Sequence, residues 1–400
     1  MKKRILLTNL KLAEYGGSEI DTFTLAKYFC KMNYEVDVFT TKFDEPMINL
    51  FNKIKVRIIT LDNICDLKSN YEYGWIHHFP ILDFLLINKQ IKFDKIIYVS
   101  LSSFLNVEFV PTYYKNLNAV LVNSFETKEK LVDKNIDSEY LDIFPNYAPA
   151  KYFKINNNKK TLKKICIVSN HVPDELNKFK KIAEKSDLVV DIYGITGIKK
   201  IIDEKVLNQY DLVISIGKTV NYAIALRIPV YCYDRFGGPG YINKDNIERA
   251  YHYNFSGRGY DIKKSEEQLL EDISNNYNDA LKDIDYVRDF GLYNFCFEKN
   301  IEKIISRVDN DKQCNIKEII KQNSNISKLV EVFFEQIKHN ESDINDYKNK
   351  CLCLEKLIEK VVNDYEIEIQ RMIKENEKIK HDIINRYDKE IRKLSKLEKR

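Results

Sequence analysis

Short apolar runs, each followed by a stretch of helical periodicity, recur along most of the chain, and this alternation limits the fold more than any other feature. The first runs lie at residues 5–8, 36–40, 56–61, 95–100 and 119–122. Gly16 and Gly17 punctuate the first run, and Ile20, Phe23, Leu25, Ala26 and Phe29 then give residues 18–31 a helical face. Strands separated by helices imply βαβ units. The pattern breaks at residues 145–158, where Pro145, Pro149 and the run Asn156-Asn157-Asn158 read as a linker. A second series follows at 164–169, 188–193, 212–216 and 230–233, with the helical stretch 284–308 placed to close it. The expected fold is therefore α/β, with two Rossmann-like domains, 1–150 and 160–308, facing a cleft.

From residue 315 the character changes. Glycine and proline vanish, and apolar residues recur at heptad spacing: Ile344, Tyr347, Cys351, Leu354, Ile358 and Val361, then Tyr365, Ile369, Met372, Ile379 and Ile383. This predicts a coiled-coil extension over 315–400, with Asn376 on the seam and a stutter between Val361 and Ile369. Such a tail implies a homo-oligomer or an assembly partner, or a basic end, from Arg386, resting on anionic lipid at the inner face of the membrane. A single solvated helix is the plainer alternative.

The 400 residues are 44% hydrophobic, enough for two cores, and carry 64 Lys+Arg against 60 Asp+Glu. A net charge of +4 argues against a dedicated nucleic-acid binder. Most of the 8 cysteines sit in apolar runs, as Cys166 and Cys232 do, which suits reduced thiols in a cytoplasmic protein. Cys351 and Cys353 have no partner pair at zinc spacing. The start, Met1-Lys2-Lys3-Arg4, is basic like a signal sequence, but its apolar run meets Asn9 and Lys11 and reads as a first strand. No stretch approaches the roughly 20 apolar residues of a spanning helix.

Three glycine turns could carry chemistry. Gly16-Gly17-Ser18-Glu19 lies between a strand and a helix, where free N–H groups and the helix dipole favour a phosphate, and Ser18 could cap. Gly217-Lys218-Thr219 opens another helix after the run 212–216, with Lys218 available to a phosphate charge. Gly237-Gly238-Pro239-Gly240 follows the run 230–233 as a loop whose backbone must approach something closely, and Arg258 downstream could pair with a phosphate or with Asp234. Each can equally be a capped or structural turn. None matches the dinucleotide or P-loop fingerprint. His77 and His78, beside the sole Trp, Trp75, are either structural or contacts for a sugar. Asp309-Asn310-Asp311 reads as a solvated turn.

The order of these motifs resembles the retaining GT-B glycosyltransferases of family 4, especially bacterial surface-polysaccharide enzymes. It runs Gly16-Gly17-Ser18-Glu19, Asn123-Ser124-Phe125-Glu126, Phe144-Pro145-Asn146, Gly217-Lys218-Thr219, Ile228-Pro229-Val230 and Gly237-Gly238-Pro239-Gly240, over residues 1–308. The resemblance implies a sugar transferred from a nucleotide-diphosphate donor, held by the second domain, to a glycan or lipid-linked acceptor on the first. It implies donor contacts at Gly16, Gly17, Glu19, Gly217, Thr219, Tyr222, Gly237, Gly238 and Arg258, and catalytic roles for Lys218, His77 and His78. It implies no metal and no cofactor, because cations and helix dipoles neutralise the leaving diphosphate. The chain departs from the pattern in carrying Tyr222 where the family has a glutamate and Arg227 where it has a glycine. It also has Ser100 to Ser103 where a histidine is usual, and no Arg or Lys in 169–173. A catalytically silent scaffold on the same fold, or a nucleotide-sugar epimerase, are the alternatives.

Overall fold

The computed structural model describes residues 2–311, 314, 318–320, 327–341, 371 and 380. In chain order the first half holds strands β1 (Arg4–Thr8) and β2 (Lys11–Leu12), helix α1 (Gly17–Lys31), strands β3 (Glu35–Phe39) and β4 (Lys42–Phe43), helix α2 (Met47–Phe51), and strands β5 (Arg57–Ile59) and β6 (Asn70–His77). Helix α3 (Phe79–Asp83), strands β7 (Lys92–Ser100) and β8 (Ala119–Val122), helix α4 (Phe125–Val132) and strand β9 (Leu141–Ile143) complete it. Seven strands form a parallel sheet in the order β5-β3-β1-β6-β7-β8-β9.

The second half runs β10 (Lys164–Val168), α5 (Asp174–Glu184), β11 (Val189–Tyr193), α6 (Glu204–Leu207), β12 (Leu212–Ser215), α7 (Lys218–Ala225), β13 (Val230–Asp234), β14 (Gly237–Tyr241) and α8 (Ile247–His252). Its sheet is ordered β11-β10-β12-β13-β14, parallel except at the last pair. Both halves lie within one compact unit, residues 1–331; residues 332–400 form a second. Both sheets thus have the βαβ order read from the sequence, and the architecture is that of the GT-B fold.

Strand β6 is absent from the sequence expectation. Asn70, Glu72 and Gly74 interrupt its apolar run, yet it is central in the sheet, and a Cβ at Gly74 would lie 2.9 Å from the Phe93 ring of β7. The segment 237–241, expected as a loop, is edge strand β14. Proline and glycine hide a strand from sequence reasoning, and an edge is where a sheet tolerates them.

The stretch 284–308 is two helices serving two halves. Helix α9 (Glu266–Asn294) opens on a capping box between Ser265 and Gln268 and lays Leu269, Ile273 and Tyr277 against the second sheet. Helix α10 (Phe297–Asn310) buries Phe297, Ile301, Ile304 and Val308, one stripe at helical spacing, in the core of the first half. Phe297 packs on Tyr147 with centroids 4.4 Å apart. Helix Ser327–Glu341 follows. The heptad positions from Ile344 to Ile383, with Asn376, lie outside the described residues, as do Cys351 and Cys353. No helix among the described residues is long and apolar enough to cross a membrane.

Because Ile301 is fully buried against the first half, Ile301→Ala is expected to destabilise the protein by about 2–5 kcal/mol. Urea unfolding checks this. A cost below about 1 kcal/mol would contradict the packing of α10 described above.

Candidate functional site

Parallel strands deliver their C-terminal ends to one edge of a sheet, where loops collect side chains that the core cannot hold. In the first half that edge carries Asn9 after β1, His77 and His78 at the end of β6, Leu101 after β7 and Asn123 after β8. In the second it carries Ser169, Gly217 and Asp234.

Helix α1 starts at this edge. Its N-cap is Gly16, with extended backbone and no capping side chain, so Ser18, expected as the cap, sits inside the first turn. The Ser18 hydroxyl donates to the Glu19 carboxylate at 2.9 Å. Glu19 folds back over the helix start, where a Cβ on Gly16 would lie 2.3 Å from its Oε2. Glu19 thus sets its own negative charge near the positive end of the α1 dipole. At Gly17 a Cβ would meet nothing within 4 Å, so that position is open.

Helix α7 starts opposite. Gly217 caps it at φ +60°, ψ −134°, a conformation that favours glycine. Its N–H donates to the Phe255 carbonyl at 2.8 Å, which ties the 255–258 turn to the helix start. Thr219, half-buried, stands in the first turn. In that turn the Val220 N–H already donates to the Gly217 carbonyl at 3.0 Å, while the Lys218 and Thr219 N–H groups come too early to have an intrahelical acceptor. Lys218 does not reach into open space. Its side chain is 14% exposed, and its ammonium ion-pairs with Asp21 of α1 and lies 4.2 Å from the Tyr147 ring centroid. Burial pulls the Lys218 pKa down, but Asp21 and Tyr222 outweigh it and hold the pKa above the usual lysine value. Tyr222 is buried edge-on to Tyr152, at 5.2 Å, and burial raises its own pKa. It faces the core and this ammonium rather than an open donor pocket.

Arg258 pairs with Glu126 rather than with Asp234. Its Nε donates to both Glu126 oxygens at 2.9 and 3.0 Å, and its terminal nitrogen to Oε2 at 2.6 Å, a bidentate pair across the halves. Burial pushes the Glu126 pKa up, yet Arg258 and Lys130 hold it below the usual range. Asp234 instead accepts from the Ser169 hydroxyl at 3.0 Å and the Arg235 N–H at 2.7 Å. Further cross-half contacts are Asn221 donating to the Asn146 carbonyl at 2.8 Å, His252 with Glu129 at 3.1 Å, and Phe125 stacked on His252.

The glycines of β14 answer to the fold. A Cβ on Gly237 would lie 2.1 Å from the Ile262 carbonyl oxygen, and one on Gly238 would lie 2.0 Å from that of Cys232. What the backbone approaches is its own chain, so Gly237 and Gly238 have a structural reason and no ligand is needed to explain them.

The two histidines differ. His78 Nδ1 accepts from the Leu10 N–H at 3.1 Å, and Nε2 lies 3.4 Å from the buried Glu108 carboxylate, so both nitrogens are engaged. His77 is buried with neither nitrogen partnered. It lines a narrow cavity with Asp21, Trp75, Asn123, Asn146 and Tyr147. Burial lowers its pKa from 6.5 to about 4, so it is neutral at physiological pH. Among the described residues, no three or more His, Cys, Asp or Glu side chains gather as a metal site.

Sequence reasoning missed Asp21 and gave Glu126 no role. The signal for Asp21 was present: positions 21, 25 and 29 form the buried stripe of α1, and an acid there needs a cation. The partner Lys218 is 197 residues away, beyond any local pattern.

No protein-family profile and no curated protein matches the chain. Among solved structures, Anabaena Alr3699/HepE with UDP and glucose superposes with a TM-score of 0.53 at 10% identity, over 77% of this chain and 100% of that one. The same protein with UDP-glucose gives 0.53 at 10% identity and the same coverage. A glycosyltransferase from Rickettsia africae ESF-5 gives 0.49 at 14% identity, over 78% of this chain and 100% of that one. The likeness to HepE is one of fold.

Gly238→Ala is expected to lower stability by about 1–3 kcal/mol, because carbonyl oxygens cannot yield as side chains do, whereas Gly17→Ala should change it by less than about 1 kcal/mol. Chemical unfolding of the two variants checks the contrast. For His77, the unfolded imidazole takes up a proton near pH 6.5 and the folded one only near pH 4. Stability should therefore fall as pH drops through that window, by about 1.4 kcal/mol per unit at most. His77→Phe should flatten the fall in a melting series from pH 7 to 4; an unchanged slope would contradict the buried neutral histidine.

Proposed function

We propose that the chain is a glycosyltransferase that moves a sugar from a nucleotide-diphosphate donor to a glycan or lipid-linked glycan, with retention, in surface-polysaccharide synthesis. One observation carries this reading. The N-termini of α1 and α7 come from different halves, and the Asp21–Lys218 pair ties them together, in a fold shared with a protein solved with UDP-glucose. Two helix starts offer unpaired N–H groups and positive dipole ends to a diphosphate.

In this reading the diphosphate lies between Gly17 and the first turn of α7, at Lys218 and Thr219. The acceptor hydroxyl approaches from the first half, near His77. Its oxygen forms the new bond to the anomeric carbon as the bond to the diphosphate oxygen breaks, and the hydroxyl proton passes to that departing oxygen. The leaving electron pair stays on the diphosphate, where the helix starts and the cations Lys218 and Arg258 oppose its charge. His77, neutral and unpartnered, can orient a hydroxyl without adding charge. His78, engaged on both nitrogens, serves the loop geometry. The acceptor, the stereochemistry and the polysaccharide role rest on the family resemblance.

A silent scaffold of the same fold is the second reading, favoured by Tyr222 buried in the place of the family glutamate. A thermal-shift panel separates the two. UDP, GDP, TDP and CMP, with their sugar conjugates, are each added to the purified full chain. One nucleotide class is expected to stabilise the fold, by about 2.7 kcal/mol at a hundred times its Kd. A melt that no nucleotide moves would count for the scaffold and against the transferase.

A further inference from the structure

Three positive features of the facing edges are each met by a carboxylate of the first half. Glu19 lies over the start of α1, Asp21 holds Lys218, and Glu126 holds Arg258 through both of its oxygens. The two cations come from backbone segments of the second half that are bonded to each other. Lys218 follows Gly217 directly, and the Gly217 N–H is bonded to Phe255, three residues before Arg258. The carboxylates are not idle surface groups. Asp21 is 8% exposed and Glu126 5%, and each comes from an element of the half opposite its cation. Lys218 stands at the start of α7 and Arg258 in the loop between α8 and α9, and a buried carboxylate facing such a cation occupies the position an anionic ligand would take.

We propose that Asp21 and Glu126 set the phosphate count of the ligand: they hold Lys218 and Arg258 until an anion with two phosphates displaces both. The inference rests on the nucleotide-sugar reading above and deepens it. In a nucleotide sugar each phosphate of the diphosphate carries a single negative charge, as a carboxylate does, so the exchange conserves charge at each cation and the Coulomb gain on binding is small. The cost falls mainly on Asp21, which must find water because a buried charge left without a partner is strongly unfavourable, while Glu126 keeps its ion pair with Lys130. A monophosphate replaces one carboxylate and leaves the other pair clamping the halves. A diphosphate replaces both, and the halves can then part enough to hydrate Asp21 and Glu126. The site therefore takes a nucleoside diphosphate and turns a monophosphate away.

Titration calorimetry of the full-length protein with UDP and with UMP tests this, using wild type and Glu126→Gln. Glutamine keeps the shape and one acceptor for Arg258 while removing the competing charge. The expected result is UDP binding tighter in Glu126→Gln by about fivefold, the scale of one partly exposed ion pair, with a narrowed preference for UDP over UMP. Asp21→Asn, if its melt shows it folded, should act in the same direction. UDP binding to wild type that is equal or weaker in Glu126→Gln would overturn the inference and leave the nucleotide-sugar reading standing. Failure of UDP and UMP to bind either protein would remove UDP as the donor nucleotide and overturn the inference in its UDP form. If another nucleotide moves the melt in the panel above, the same comparison with its di- and monophosphate decides.

Discussion

A lysine charge can be kept away from water only beside an opposite charge, and in this protein the two members of such a pair belong to different halves. Lys218 opens α7 and Asp21 lies in the second turn of α1. Breaking a buried pair by removing one partner costs about 3–5 kcal/mol, far more than an exposed pair contributes. The pair therefore fixes how the two helix starts face each other, and Tyr147, Tyr222 and Asn221 with Asn146 pack around it.

The sheets make this possible. Each half ends its parallel strands at the cleft edge, and each begins a helix there after a glycine turn. Helix α10 then returns to the first half, so the chain passes between the halves twice, once at 145–158 and once at Asn294–Phe297. The bridge between Ala148 and Cys296 places the two crossings side by side.

Much of the fold was legible because buried parallel strands are near-continuous apolar runs. Strands β1, β3, β7, β8 and β10 to β13 lie where such runs do. Strand β6 was hidden by Gly74, whose lack of a side chain makes room for Phe93, and β14 by glycines that let it lie against Cys232 and Ile262. The candidate site was less legible. The glycine turns are where helices start, but a sequence does not say what a charge faces. Lys218 read as available to a phosphate and is paired with Asp21, and Arg258, read as a partner for a phosphate or Asp234, is paired with Glu126; His77 and His78, adjacent in sequence, are opposite in hydrogen bonding.

The central claim is that a diphosphate seats between the starts of α1 and α7. Hydrogen–deuterium exchange of the intact protein with and without UDP-glucose, at a concentration that saturates any melt shift, tests it at the backbone. The first-turn amides of a helix exchange readily because they lack intrahelical acceptors. The account predicts slowed exchange in peptides covering residues 16–20 and 217–220 together. Protection confined to one of them, or found elsewhere while both stay unchanged, would contradict it.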